Sequence, residues 1–118
     1  MAPCPGLLKI NCDGAYSDNL KLGIAAFVVR DHIGALVDGN LFFYSCSSPV
    51  GVEAKAVLDA TLFANLCVSS PIIIESDCKV VVDVITMEAS LLHWDKNGMV
   101  EAVRDISRKT PPISYSCV

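Results

Sequence analysis

The spacing of apolar residues changes at Pro49, and that change limits the folds open to the chain. Before it, "LLKINCD" (residues 7–13) alternates: Leu8, Ile10 and Cys12 share one side of an extended strand and Lys9, Asn11 and Asp13 the other. "GAYSDN" supplies turn residues, and "KLGIAAFVVRD" then gives a nearly all-apolar second strand from Leu22 to Arg30. "DHIG" closes a hairpin into a third strand, "ALVDGNLFFYSC", in which Gly39 and Asn40 mark an expected bulge. After Pro49 the period becomes helical. Glu53, Val57, Ala60 and Ala64 fall within about 40° of one another on a helical wheel. Lys55 and Asp59 project from the opposite side, spaced to pair across one turn.

"SSPIIIES" predicts a short buried fourth strand. "DCKVVVDVITME" suits a strand by its β-branched valines and a helix by its spacing, and the strand–helix alternation favours the helix. That helix has Asp77 as N-cap, Val80, Val81, Val84 and Ile85 inward, and Lys79 and Asp83 on its polar side. "ASLLHWD" connects to a last helix over 96–109, capped by Asp95 and striped by Met99, Val100, Val103 and Ile106. Pro111 and Pro112 stop it, and "ISYSCV" begins a fifth strand. The expectation is one α/β domain over residues 1–118. Its mixed five-stranded sheet has strands 1–3 antiparallel and strands 4–5 as parallel additions, flanked by helices.

Composition narrows the partners. In 118 residues that are 53 % hydrophobic there is material for one filled core. Uninterrupted apolar stretches such as Ile24 to Val29 are far shorter than the roughly 20 residues of a membrane span, so no membrane partner is expected. "MAPCPGLLKI" shows neither a basic leader nor a cleavable hydrophobic segment, which predicts an intracellular protein, nuclear or cytoplasmic, rather than a secreted one. Cys4, Cys12, Cys46, Cys67, Cys78 and Cys117 never stand at zinc-knuckle or redox spacing, and several fall in apolar runs. Buried, reduced thiols are the expected state. The net charge of −4, with nine scattered basic residues, leaves nucleic-acid binding to a local patch or to bound metal ions. The adjacent Arg108 and Lys109 suit a helix end.

Three acids stand apart from ordinary surface charge. Asp13 ends the first strand, Glu53 lies on the apolar stripe of the first helix, and Asp77 ends the fourth strand, each where burial is expected. Converging, they would offer hard oxygen ligands to magnesium or manganese, which would offset their mutual repulsion. Each also has a plainer reading: Asp13 before Gly14 as a turn opening, Asp77 as a helix cap, and Glu53 as a partner of the helix macrodipole.

"KINCDGA" resembles the first strand of ribonuclease H-like domains, specifically the plant type related to the reverse-transcriptase-associated group. "GIAAFVVRDHIG" resembles that family's second strand and turn, "VEAKAVLDATLFA" its first helix, and "IIIESDCKVVVDVI" its fourth strand and second helix. The likeness runs in register from Lys9 to Val118. It implies hydrolysis of the RNA strand of an RNA–DNA hybrid by two metal ions, Mg2+ or Mn2+. By position, Asp13 would bridge both metals and Asp77 would hold the leaving-group metal. Glu53 would hold that same metal and sense the 2′-hydroxyl that marks RNA.

The family continues past the fifth strand into a helix bearing a fourth acid, whereas this sequence stops at Val118, and Cys117 stands where many relatives have histidine. The domain is thus expected to be truncated at its C-terminus, leaving apolar sheet surface for self-association. Two functions compete: a metal-dependent hybrid ribonuclease, and a catalytically inactive module that binds nucleic acid or protein. A small-molecule enzyme lacks support, since no glycine-rich phosphate loop or activated serine or cysteine motif is present.

Overall fold

The computed structural model describes residues 6–45, 48–66, 71–86, 103 and 113–118. Strand β1 (Leu8–Ser17) pairs antiparallel with β2 (Leu22–Arg30), which pairs antiparallel with β3 (Leu36–Ser45). Helix α1 (Pro49–Ala64) then carries the chain to β4 (Ile72–Ser76), which lies parallel to β1. Helix α2 (Lys79–Thr86) follows, and β5 (Ile113–Cys117) adds parallel to β4. The sheet order is β3-β2-β1-β4-β5. This is the expected mixed five-stranded sheet, its first three strands joined by short turns and its parallel strands by crossovers.

The core lies between one sheet face and α1. Leu8, Ile10 and Cys12 of β1, Ala25, Phe27 and Val29 of β2, and Ile72 and Ile74 of β4 are buried against Val52, Val57, Ala60 and Ala64. The alanines bring the helix axis close to the strands, and Val103 is buried in the same cluster. Apart from Val103, the predicted helix over 96–109 lies outside the described residues. Buried Thr61 anchors α1 to β5: its hydroxyl donates to the Val57 carbonyl at 2.8 Å and lies 3.0 Å from the Tyr115 hydroxyl.

Several local expectations are corrected. Strand β1 does not stop at Asp13, because residues 14–17 continue the ladder to 22–25 and the turn falls at 18–21. Ladder hydrogen bonding outweighs the turn preference of "GAYS". Lys21, at φ 49°, takes the left-handed position of that turn. The bulge in β3 is at Val37 rather than at Gly39 and Asn40: Val29 pairs with Asp38 and Arg30 with Leu36, leaving one residue extra. Asp38 and Asn40 instead turn their side-chain oxygens onto the N–H groups of Gly39 and Leu41, at 2.7 and 2.8 Å. That occupies two donors of an edge strand that would otherwise invite pairing.

Lys55 and Asp59 meet around Tyr44 of β3. The ammonium sits 4.5 Å from the ring centroid, and the hydroxyl donates to both Asp59 oxygens at 2.8 and 3.0 Å. In α2 the buried stripe is Val81, Val82 and Ile85, continuing half-buried Cys78 at helical spacing, while Val80 is 45 % exposed. Asp77 does not cap the helix. The first turn is closed by Val82 N–H on the Cys78 carbonyl, and Ser76 Oγ accepts from Cys78 N–H at 3.1 Å.

Gly14 is the tightest contact between sheet and helix. A Cβ there would lie 2.7 Å from Val52 Cγ1, 3.1 Å from the Val52 carbonyl carbon and 3.2 Å from Glu53 N. Gly14→Ala should therefore lower the free energy of unfolding in urea by about 1–3 kcal/mol. Adding Val52→Ala should return only part of that loss, since the backbone contacts remain.

Candidate metal-binding site

Three separate pieces of chain bring Asp13, Glu53 and Asp77 together. Asp13 lies within β1, opposite Ala26, and its Oδ1 accepts from the N–H of Gly14 at 2.8 Å. The parallel β1–β4 ladder ends on Asn11 and Glu75. Two residues further come Asp13, still within β1, and Asp77, just past the end of β4, so the register brings the two aspartates near each other. Glu53 is delivered by α1, whose start is fixed by Ser48: its Oγ accepts from Gly51 N–H at 3.1 Å, with Pro49 in the first turn. Buried Val52 presses that turn against Gly14, and Glu53 follows it in sequence.

One carboxylate oxygen from each residue lies within 4.8 Å of the others. Two oxygens on a single magnesium ion stand at most about 4.2 Å apart, twice the metal–oxygen distance of ~2.1 Å. The trio is thus close to ligating geometry without a cation. The burial expected of all three is found only for Glu53, which is half-buried, while Asp13 and Asp77 are exposed. Exposure suits them as ligands that must reach ions and water.

Glu53 carries the electrostatic cost. Its pKa is raised to about 7 by burial, then by the charges of Asp13 and Asp77, against a smaller lowering by the Gly14 N–H. Its Oε1 is buried with no hydrogen-bond partner among the described residues. Such an orphaned oxygen costs folding free energy, and a divalent cation would satisfy it. Three hard oxygen donors and this unpaired atom fit magnesium or manganese.

The neighbouring groups take other roles. Cys12, behind Asp13, is pushed up to about 12 by burial, then by Glu53, Asp13 and Asp77. Its Sγ donates to the Glu75 carbonyl at 3.4 Å, so it is a protonated thiol and a poor nucleophile. Cys78 is likewise raised, chiefly by burial. Cys12, Cys78 and Cys117 are free, as expected, but Cys117 is exposed, and Cys4, Cys46 and Cys67 lie outside the described residues. Glu75, the other acid of "IIIESDCK", is not one of the three whose oxygens meet. It accepts from Asn11 Nδ2 at 2.8 Å and lies 3.8 Å from Lys9 Nζ. Glu75 is held inside the ladder opposite Asn11, whereas Asp77 lies past the end of β4, in the bend before α2, where strand alternation no longer sets its direction.

Residues 11–117 match the family model described as "Reverse transcriptase-like". No individual curated protein matches the chain by sequence. Among solved structures, the chain is similar to RNase H1 from the archaeon Halobacterium salinarum, with TM-score 0.83 at 17 % identity over 95 % of this chain and 85 % of that one. It is similar to the N-terminal RNase H domain of a Mycobacterium tuberculosis protein, with TM-score 0.81 at 15 % identity over 95 % and 81 %. LC11-RNase H1, solved in complex with an RNA/DNA hybrid, gives TM-score 0.77 at 13 % identity over 94 % and 84 %. At these identities the likeness is one of fold, and the fold is that of RNase H.

The raised pKa of Glu53 makes a pH prediction. Its folded value of about 7 lies above the ordinary 4.5, so its contribution to stability is fully present below about pH 4.5 and is lost as pH rises through 7. In EDTA the melting temperature of Glu53→Gln should therefore gain on that of the wild type across this window. At neutral pH, magnesium should raise the wild-type melting temperature more than that of Glu53→Gln.

Proposed function

This chain belongs to the reverse transcriptase-like family, with an RNase H-like domain, and on that footing we propose that it hydrolyses the RNA strand of RNA–DNA hybrids using Mg2+ or Mn2+. The observation that carries the proposal is the meeting of Asp13, Glu53 and Asp77, with a buried Glu53 oxygen left unpaired. A pair of bound ions would supply an activated water and would stabilise the leaving 3′ oxygen. The protein's part is placement. Asp13, fixed in the β1 ladder, would help to hold both ions in this scheme. Exposed Asp77 takes the leaving-group side. Glu53 shares that side and, emerging from the helix start, reads the 2′-hydroxyl that distinguishes RNA from DNA.

The solved complex of LC11-RNase H1 with a hybrid supports this substrate class, because that protein shares the fold. Hybrids arise where nucleic acids are copied and transcribed, which agrees with a nuclear or cytoplasmic site of action. With purified chain and magnesium or manganese, a labelled hybrid should be cut in its RNA strand, and Asp13→Asn should reduce the products to background. Metal-dependent products that survive Asp13→Asn would defeat the assignment.

A specific observation favours the second reading, an inactive module acting through binding. Val28, Leu41 and Phe43, which share the sheet face opposite α1, are 36, 51 and 64 % exposed. Through this face the chain would associate with itself. Sedimentation should then show a concentration-dependent dimer that Leu41→Glu weakens by tenfold or more, on the order of the free energy of one buried leucine. A strictly monomeric wild type would remove this reading's support.

A further inference from the structure

At the end of β1 away from the three acids, Lys9 stands directly opposite Arg30 across the antiparallel ladder. Directly opposed residues share a face, with Cβ atoms about 4.5–5.5 Å apart, and like charges so placed destabilise a sheet. Neither cation is closely neutralised. Lys9 Nζ reaches Glu75 Oε2 only at 3.8 Å, while the other oxygen of that carboxylate accepts from Asn11. Arg30 makes no ion pair among the described residues, and its Nη1 donates only a long 3.4 Å bond to the Gly34 carbonyl. The turn that follows adds His32, whose ring packs beside Gly6.

These side chains line a cavity of about 280 Å³ with Leu7, Asp31 and Gly34. Asp31 is the only acid in that lining, and its Oδ1 is taken by the N–H groups of Ile33 and Ala35 at 3.0 and 2.9 Å. The lining thus carries two cations and an imidazole against one carboxylate, and among the described residues Asp31 forms no ion pair with either cation. A fold that keeps two like charges side by side breaks a local rule, and such breaks mark functional positions.

We propose that this cavity is an anion subsite in which Lys9, Arg30 and His32 take a phosphate group, from a polynucleotide backbone or from a small phosphorylated molecule. Arg30 offers a planar fork of donors, Lys9 a point charge and His32 a ring nitrogen, matching the several acceptor oxygens of a phosphate. An anion between Lys9 and Arg30 also cancels the repulsion that the bare fold carries. Lys9 and Asp13 lie four residues apart on the same side of β1, roughly 13 Å at strand spacing, so the subsite shares no residue with the carboxylates. It does not depend on whether those acids catalyse.

Inorganic pyrophosphate, titrated into the full chain at low salt, should shift the His32 ring resonances saturably. Arg30→Gln should weaken that binding by roughly tenfold or more. Ligand-free Arg30→Gln should melt no lower than the wild type, since it relieves a like-charge contact, and this separates lost binding from lost folding. A wild type without a saturable shift overturns the proposal, as do equal affinities in wild type, Lys9→Gln and Arg30→Gln. A hybrid in EDTA, followed by fluorescence anisotropy, identifies the source. If backbone phosphate occupies the site, each substitution should reduce the logarithmic salt slope by about one. If pyrophosphate binds and the hybrid slope stays unchanged, the ligand is a small phosphorylated molecule. A wild type that fails to bind the hybrid counts against the hydrolase assignment, while the pyrophosphate titration still decides the subsite.

Discussion

Strand β1 and helix α1 touch at Gly14, and the arrangement of the acids follows from that contact. The missing side chain lets Val52 and the backbone of Glu53 lie against the strand, within distances that any Cβ would violate. With the helix start so close, Glu53 reaches Asp13, while the parallel register of β1 and β4 brings Asp77 from the other side. The contact is inexpensive, because Val52 is fully buried in the core that the helix covers in any case. Packing that stabilises the fold therefore also sets the geometry of the site.

The acids in turn impose a negative field on their surroundings. Added to the larger effect of burial, that field makes Glu53 take up a proton more readily and Cys12 hold its own. This is the electrostatic pattern of a site built for a positive ion: the repulsion that weakens the bare fold is the attraction that would bind a divalent cation. The Lys9–Arg30 pair shows the complementary pattern at the other end of the same strand. One face of β1 thus carries acid at one end and base at the other, a polarity that the overall charge of −4 conceals.

Much of the site was legible because its members break local rules. A glutamate on an otherwise apolar helical stripe, and aspartates following strand-like runs, stand out without knowledge of their neighbours. The fold class was equally open to reading, since alternation and helical spacing differ sharply on either side of Pro49. Features that depend on a partner strand were not. The true end of β1, the bulge at Val37 and the exposure of Val80 each depend on which backbone lies alongside. Tyr44 of β3 drew Lys55 and Asp59 from the direct pairing their spacing suggested, offering its ring face to the ammonium and its hydroxyl to the carboxylate. The role of Gly14 was missed for the same reason: as part of "DG" it reads as a turn, and only the helix pressed against it shows otherwise.

Hydrophobic periodicity determined the kinds of elements, their order and the side of each strand that would be buried, because these follow from the backbone repeat and from the cost of wetting apolar surface. The tertiary structure alone decided that three acids distant along the chain share a space within 4.8 Å, and that Glu75, two residues before Asp77, does not join them. Register and close packing are relations between segments. No single segment encodes the distance to another, so those relations exist only once the sheet has formed and the helix has come down on it.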